Sequence, residues 1–182
     1  VRRIVAINPH ASLLAVSKKQ PVEKVEALYC AGHRDFAENY VQELCSKREW
    51  ADGQGFTDIR WHLIGPLQRK KIPKLMSWLA SVHSLDRIEV AVELNKRWVG
   101  GRPLDVYIEV NTSQLPQRAG IDETEVPDFL EQVRSLPSLN VVGLMTIPGQ
   151  GSGTKEFHAL RELRDRLPGP RLPELSMGMS ED

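Results

Sequence analysis

The sequence has little of what usually betrays a function. Its 182 residues hold two cysteines, Cys30 and Cys45, too few and too isolated for a disulfide framework or a zinc site. Both fall in stretches that read as helix, so reduced, structural thiols in a cytoplasmic protein are expected. The five histidines (His10, His33, His62, His83, His158) lack metal-ligand spacing such as His-x-x-x-His. Lysine plus arginine equals aspartate plus glutamate at 24 each, which leaves no basic field for a nucleic acid. No apolar run is long enough to cross a bilayer, and no charged-then-apolar signal segment opens the chain. A Walker loop, a Gly-x-Gly-x-x-Gly turn and a Gly-x-Ser-x-Gly elbow are all missing. Gly149, Gly151 and Gly153 stand close together without the rest of a dinucleotide motif, and read as a loop.

What is present is an almost unbroken alternation of short apolar runs with amphipathic ones, in a chain that is 41% hydrophobic. Strands are expected at 13–18, 34–40, 59–64, 82–85, 104–110, 141–147 and 172–177. Helices are expected at 22–31, 41–50, 70–80, 87–99, 126–136 and 155–167, with Gly32 closing the first and Pro73 in the first turn of the third. Each helix is then a crossover between parallel strands. An open doubly wound sheet and a β/α barrel both satisfy this order. Polar residues recur at strand ends around the whole chain (Ser17-Lys18, Glu38-Asn39, Asn111-Thr112, Thr146, Ser176) rather than at one switch point, which favours the barrel. A closed barrel has eight strands and about 200 residues or more, so the expectation is one TIM-type β/α barrel domain over 1–182 lacking its eighth strand and truncated at both ends. The start at Val1 rather than methionine points the same way.

Lys18 is the residue with chemistry to offer. It ends the run Leu-Leu-Ala-Val-Ser-Lys, where an apolar strand gives way to a helix, and lysine is the side chain that forms a Schiff base with an aldehyde cofactor. The stretch Ser176-Met-Gly-Met-Ser180-Glu-Asp follows a strand and has the composition of a strand-to-helix turn. Its serine and free backbone N–H groups could hold a phosphate, and an ordinary helix N-cap has the same composition. On a barrel these residues share one mouth with Asn39 and Asn111-Thr112-Ser113. An aldehyde bearing a phosphate fits that set, and pyridoxal 5′-phosphate (PLP) is the obvious candidate.

Seven collinear segments carry a family resemblance: LLAVSK (13–18), AGHRDFAENYVQE (31–43), WHLIGPLQ (61–68), VHSLDR (82–87), VNTS (110–113), GLMTIP (143–148) and LSMGMS (175–180). Together they resemble the pyridoxal-phosphate homeostasis protein family, whose fold is similar to the barrel domain of alanine racemase. The resemblance implies that Lys18 holds PLP as a Schiff base, that Ser180 contacts the phosphate with Gly178 admitting the backbone, and that Asn39, Met145 and Ser176 line the cofactor. It also implies a monomer without established catalysis that carries or regulates the free cofactor pool, with PLP-dependent apoenzymes as recipients. The resemblance implies a further helix and an eighth strand of the form Arg-Ile-Gly-Thr, with its arginine facing the pyridine nitrogen, and this sequence holds neither. Two smaller departures stand out. Ala37 replaces the glycine of the family's Phe-Gly-Glu-Asn, and Arg69-Lys70-Lys71 makes the rim more basic. Two other classes remain in view: a PLP-dependent racemase or decarboxylase, which draws a further catalytic residue from a second β domain, and a barrel with unrelated small-molecule chemistry.

Overall fold

The computed structural model describes residues 6, 8–113, 117–149 and 153–178. Seven strands follow one another in chain order: β1 (Ala15–Val16), β2 (Asp35–Glu38), β3 (Arg60–Leu63), β4 (Ser81–Leu85), β5 (Leu104–Glu109), β6 (Leu139–Thr146) and β7 (Glu174–Met177). Five α-helices join them: α1 (Val22–Cys30), α2 (Val41–Gly53), α3 (Ile88–Arg97), α4 (Val126–Arg134) and α5 (Gly153–Arg166). The spatial order is β1-β2-β3-β4-β5-β6-β7, and every neighbouring pair is parallel. That order, with a helical or 3₁₀ crossover after each strand, belongs to a β/α barrel and excludes a doubly wound sheet, whose order reverses at a switch point.

The sheet is curled. His83 on β4 and Ser176 on β7 lie three places apart in the sheet, yet Nδ1 and Oγ are 2.7 Å apart. Tyr107 on β5 likewise donates its hydroxyl proton to Glu174 on β7. Only an inward-facing concave surface brings such pairs together. The architecture is that of a β/α barrel with seven parallel strands among the described residues. Strand alternation sends the opposite side chains outward, where Phe36, Trp61, Leu63, Val106, Ile108 and Leu144 pack with Val25, Leu44, Leu94, Leu130 and Leu160 of the helices.

Two expected elements differ. Of the strand expected at 13–18 only Ala15 and Val16 pair, since β1 has a partner on one side alone among the described residues. The helix expected at 70–80 is a 3₁₀ segment, Arg69–Lys74, with Pro73 inside it. Proline brings no N–H and crowds the preceding turn, so the segment does not propagate as α-helix.

Gly65, just past β3, packs its Cα against the backbone of Asn39, just past β2. A Cβ there would fall 2.2 Å from the Asn39 carbonyl oxygen. Gly65→Ala should therefore cost about 1–3 kcal/mol through overpacking against main chain that has no rotamer to yield. A urea midpoint unchanged from the parent would show that this approach is not tight.

Candidate functional site

Lys18 owes its position to its neighbours. Ser17 extends the ladder past β1, donating its N–H to Ala37 O at 3.0 Å, and the chain then turns so that the Gln20 N–H reaches Ser17 O at 2.9 Å. The turn puts Lys19 at φ +58°, a left-handed conformation that costs a side-chain-bearing residue about 1–2 kcal/mol. Lys19 N–H donates to Glu43 Oε1 of α2 at 2.7 Å, which offsets that cost. From the same helix, the Lys47 ammonium donates to Ser17 O (2.5 Å), Glu38 Oε1 (2.7 Å) and Glu43 Oε1 (2.8 Å). The Ser17 hydroxyl also donates to Glu38 Oε1, at 2.6 Å. Lys47 and Glu38 are buried, at 6% and 0% side-chain exposure. Burial pushes the Glu38 carboxyl up, against the opposing bonds from Lys47 and Ser17. Burial works against Glu43 as well, but Lys47 and the Lys19 N–H outweigh it and hold that carboxyl down. Both residues flanking Lys18 are thus tied to α2. Lys18 itself is exposed and makes no hydrogen bond or ion pair with the described residues, so its amine is uncommitted.

The other expected site residues stand at the same ends of their strands. Asn39 follows β2, half-buried, and its Oδ1 is sealed from solvent without a hydrogen-bond partner. Met145 is a buried residue of β6, in register between Glu109 of β5 and Ser176 of β7. Gly178 follows β7 at φ +149°, where a side chain is disfavoured. Ser180 lies outside the described residues. Thr112 belongs less to the mouth than to its frame. Its hydroxyl bonds to Thr146 Oγ1 and to Glu156 Oε2, both at 2.8 Å, and joins β5, β6 and α5. Ala37 needs no glycine, being fully buried in β2 without a positive φ. In the basic rim, Arg69 and Lys70 are exposed.

Inside the barrel lies a chain of polar side chains that sequence reasoning missed. Arg60 grips Asp35 with two bonds, through Nε at 2.5 Å and through Nη2. Asp35 Oδ1 is 3.2 Å from His62 Nε2, His62 Nδ1 is 2.6 Å from Ser81 Oγ, and Ser81 Oγ is 2.7 Å from His83 Nε2. His83 Nδ1 then meets Ser176. Burial opposes the charge on Asp35, but the bonds from His62 and Arg60 prevail and hold its carboxyl below the usual range. His83 is stacked on Tyr107 with ring centroids 4.0 Å apart, and burial, then the neighbouring His62, pulls its pKa down to about 3. Higher up the same face Glu109 is buried, and desolvation, then the charge of Asp86, pushes its pKa up to about 7. The available signal was the polar spelling of buried strands, Ser-Val-His-Ser-Leu and Tyr-Ile-Glu, where aliphatic residues are the norm.

Two measurements follow from this geometry. Lys47→Met leaves Glu38 buried beside no cation and should cost about 3–5 kcal/mol in urea unfolding, much of it recovered by adding Glu38→Leu. A loss under 1 kcal/mol would mean that the ion pair holds little. His83 and Glu109 give stability opposite pH slopes. Between about pH 3 and 6.5 the unfolded chain takes up a proton that folded His83 refuses, so stability rises with pH. Between about pH 4.5 and 7 folded Glu109 keeps a proton that the unfolded chain has released, so stability falls with pH. Removing the second contribution with Glu109→Gln should steepen the rise between pH 4.5 and 6.5 by on the order of 1 kcal/mol per pH unit. Parallel profiles for variant and parent would refute the burial of Glu109 as an acid.

Comparison with known proteins bears on the same residues. The whole chain, residues 1–182, matches the family "Alanine racemase, N-terminal domain". The "Pyridoxal phosphate homeostasis protein" of Vibrio alginolyticus is 41% identical over 178 residues, covering 93% of this chain and 76% of that one. PipY of Synechococcus elongatus PCC7942, solved with PLP bound, superposes with a TM-score of 0.80 at 32% identity, covering 100% of this chain and 89% of that one. An alanine racemase of Clostridium difficile 630, with a TM-score of 0.73 at 13% identity over 96% of this chain and 48% of its own, shares the fold. With a clamped strand-end lysine, a barrel mouth built from successive strand ends and this degree of identity, the chain belongs to the alanine racemase N-terminal domain family and, within it, to the pyridoxal phosphate homeostasis proteins.

Proposed function

We propose that this chain binds pyridoxal 5′-phosphate through Lys18 and serves the homeostasis of that cofactor in the cytoplasm, as a single domain without catalysis of its own. The observation that carries the proposal is the uncommitted Lys18 amine, presented at the barrel mouth by a backbone fixed on both sides by Lys47 and Glu43. When bound, the cofactor supplies an aldehyde that condenses with an amine. The residues present suit it. The orphaned Asn39 Oδ1 offers a buried amide to a ligand hydrogen bond, and burying it unpaired costs about 1–3 kcal/mol in the free protein. Gly178 leaves the backbone at the end of β7 open to close approach, and Ser180, two positions on in the sequence, is the proposed phosphate contact. Met145 and Ser176 line the floor.

Non-catalytic binding is supported by the homeostasis proteins the chain resembles and by the nature of the mouth, where the Lys18 amine is the one group proposed to react. PLP-dependent apoenzymes are the proposed recipients, and a monomer suffices for the role. No described helix is long and apolar enough to cross a membrane, and lysine plus arginine equals aspartate plus glutamate at 24 each, which supports a small molecule rather than a nucleic acid as the partner.

Absorbance spectra of the protein mixed with PLP, beside Lys18→Ala, test the attachment. The parent should show a visible band that borohydride fixes as a covalent mass increase, and the variant should show neither. An equal band in Lys18→Ala, with the same mass increase, would move attachment to another lysine. Racemisation of alanine or serine by the loaded protein would overturn the non-catalytic part.

A further inference from the structure

The interior chain has a direction. Asp35, gripped by Arg60, can only accept, so His62 Nε2 must donate to it. A neutral imidazole has one N–H, which leaves His62 Nδ1 bare to accept from the Ser81 hydroxyl. Ser81 has no second proton, so at its other contact it accepts from His83 Nε2–H. His83 Nδ1 is then bare in turn, and the Ser176 hydroxyl donates to it. With both imidazoles neutral, every hydrogen along the five side chains points from β7 toward Asp35. The ring of His83 is not free to escape the pattern. It is 4% exposed, stacked on Tyr107, and meets His62 edge-on with ring centroids 5.5 Å apart. The charged and titratable groups around it are Tyr107 of β5, His62 of β3, Asp35 of β2 and Glu174 of β7, and the Tyr107 proton is already given to Glu174.

We propose that His83 is a positioning residue that takes the only proton of Ser176 and so presents Ser176 to the cofactor site as a hydrogen-bond acceptor. The ligand atom meeting Ser176 therefore carries a hydrogen. In a pyridoxal compound that atom belongs to the ring side, such as the ring hydroxyl. A phosphate dianion has only acceptors and cannot be that partner. This rests on the PLP reading above and makes it more specific, by assigning Ser176 to the ring and excluding it from the phosphate.

Two experiments separate the inference from its premise. Nitrogen NMR of the histidines at pH 8, where an unperturbed imidazole is neutral, needs no cofactor. His83 should appear as the Nε2–H tautomer with a bare Nδ1, and an Nδ1–H tautomer or an imidazolium would overturn the direction of the chain. The second compares PLP with pyridoxal, which lacks the phosphate, on the parent and on Ser176→Ala. Loss of an acceptor for the ring should weaken both ligands by a similar factor, about fivefold to tenfold, and leave their affinity ratio within twofold of the parent. A loss confined to PLP would make Ser176 a phosphate donor and refute the assignment. If the parent binds neither compound, the PLP reading and the ligand half of this inference both fall, and the tautomer alone decides the interior chain.

Discussion

Lys47 has three protons to donate, and all three are used, on the Ser17 carbonyl, on Glu38 and on Glu43. The lysine site depends on that saturation. β1 is two residues long and lies at one end of the strand order, so its ladder alone would hold residues 17–19 weakly. The buried ammonium replaces missing ladder bonds with side-chain bonds to a helix that β2 already anchors. It also fixes the chain where it enters a left-handed turn at Lys19, a conformation that a solvated loop would abandon. Ionic bonds of this kind repay desolvation only when each partner is well satisfied, and Glu38 Oε2, sealed without a partner, shows the arrangement is at that margin.

Strand alternation then divides the work between two faces. The outer face is apolar apart from the Lys47 cluster, and it packs the helices. The inner face runs through Asp35, His62, Ser81, His83, Tyr107 and Ser176, where many barrels stack aliphatic layers. A polar interior is tolerable only if its members satisfy one another, and here each of these hydrogen-bonds to another of the set or to Glu174. The outer face thus fixes the lysine backbone, while the inner face fixes the polarity of the opposite wall.

The sequence made the strand-end residues legible because parallel strands announce their ends by a change from apolar to polar letters. Lys18, Asn39, Ser176 and Gly178 were found that way, Met145 came from the family resemblance alone, and all stand toward the strand ends around the mouth. The clamp was not legible, because Lys47 meets Ser17 across thirty positions and spells only one charged letter on an amphipathic helix. His83 was read for metal spacing, and its place was hidden because its partners come from β3, β4 and β7. The helix expected at 70–80 failed for a local reason that was visible all along. Pro73 lies too far from the start of the segment for its missing N–H to be harmless, and a 3₁₀ turn results.

Ala37 shows how a departure from a family pattern is absorbed. Glycine is the family's residue there, and alanine would be costly if β2 had to approach another backbone closely at that point. The close approach exists, but it is made one strand over. Gly65 meets the Asn39 backbone so nearly that a Cβ would sit 2.2 Å from its carbonyl oxygen. Ala37, two residues earlier, lies in regular register opposite His62 with its methyl buried. The constraint therefore falls on Gly65, and its effect is to lock the main chain that carries the Asn39 amide. An unpaired buried acceptor at a position locked by backbone contact cannot relax toward solvent or a neighbour. Such a group costs stability in the free protein, and that cost is consistent with the ligand contact proposed for Asn39.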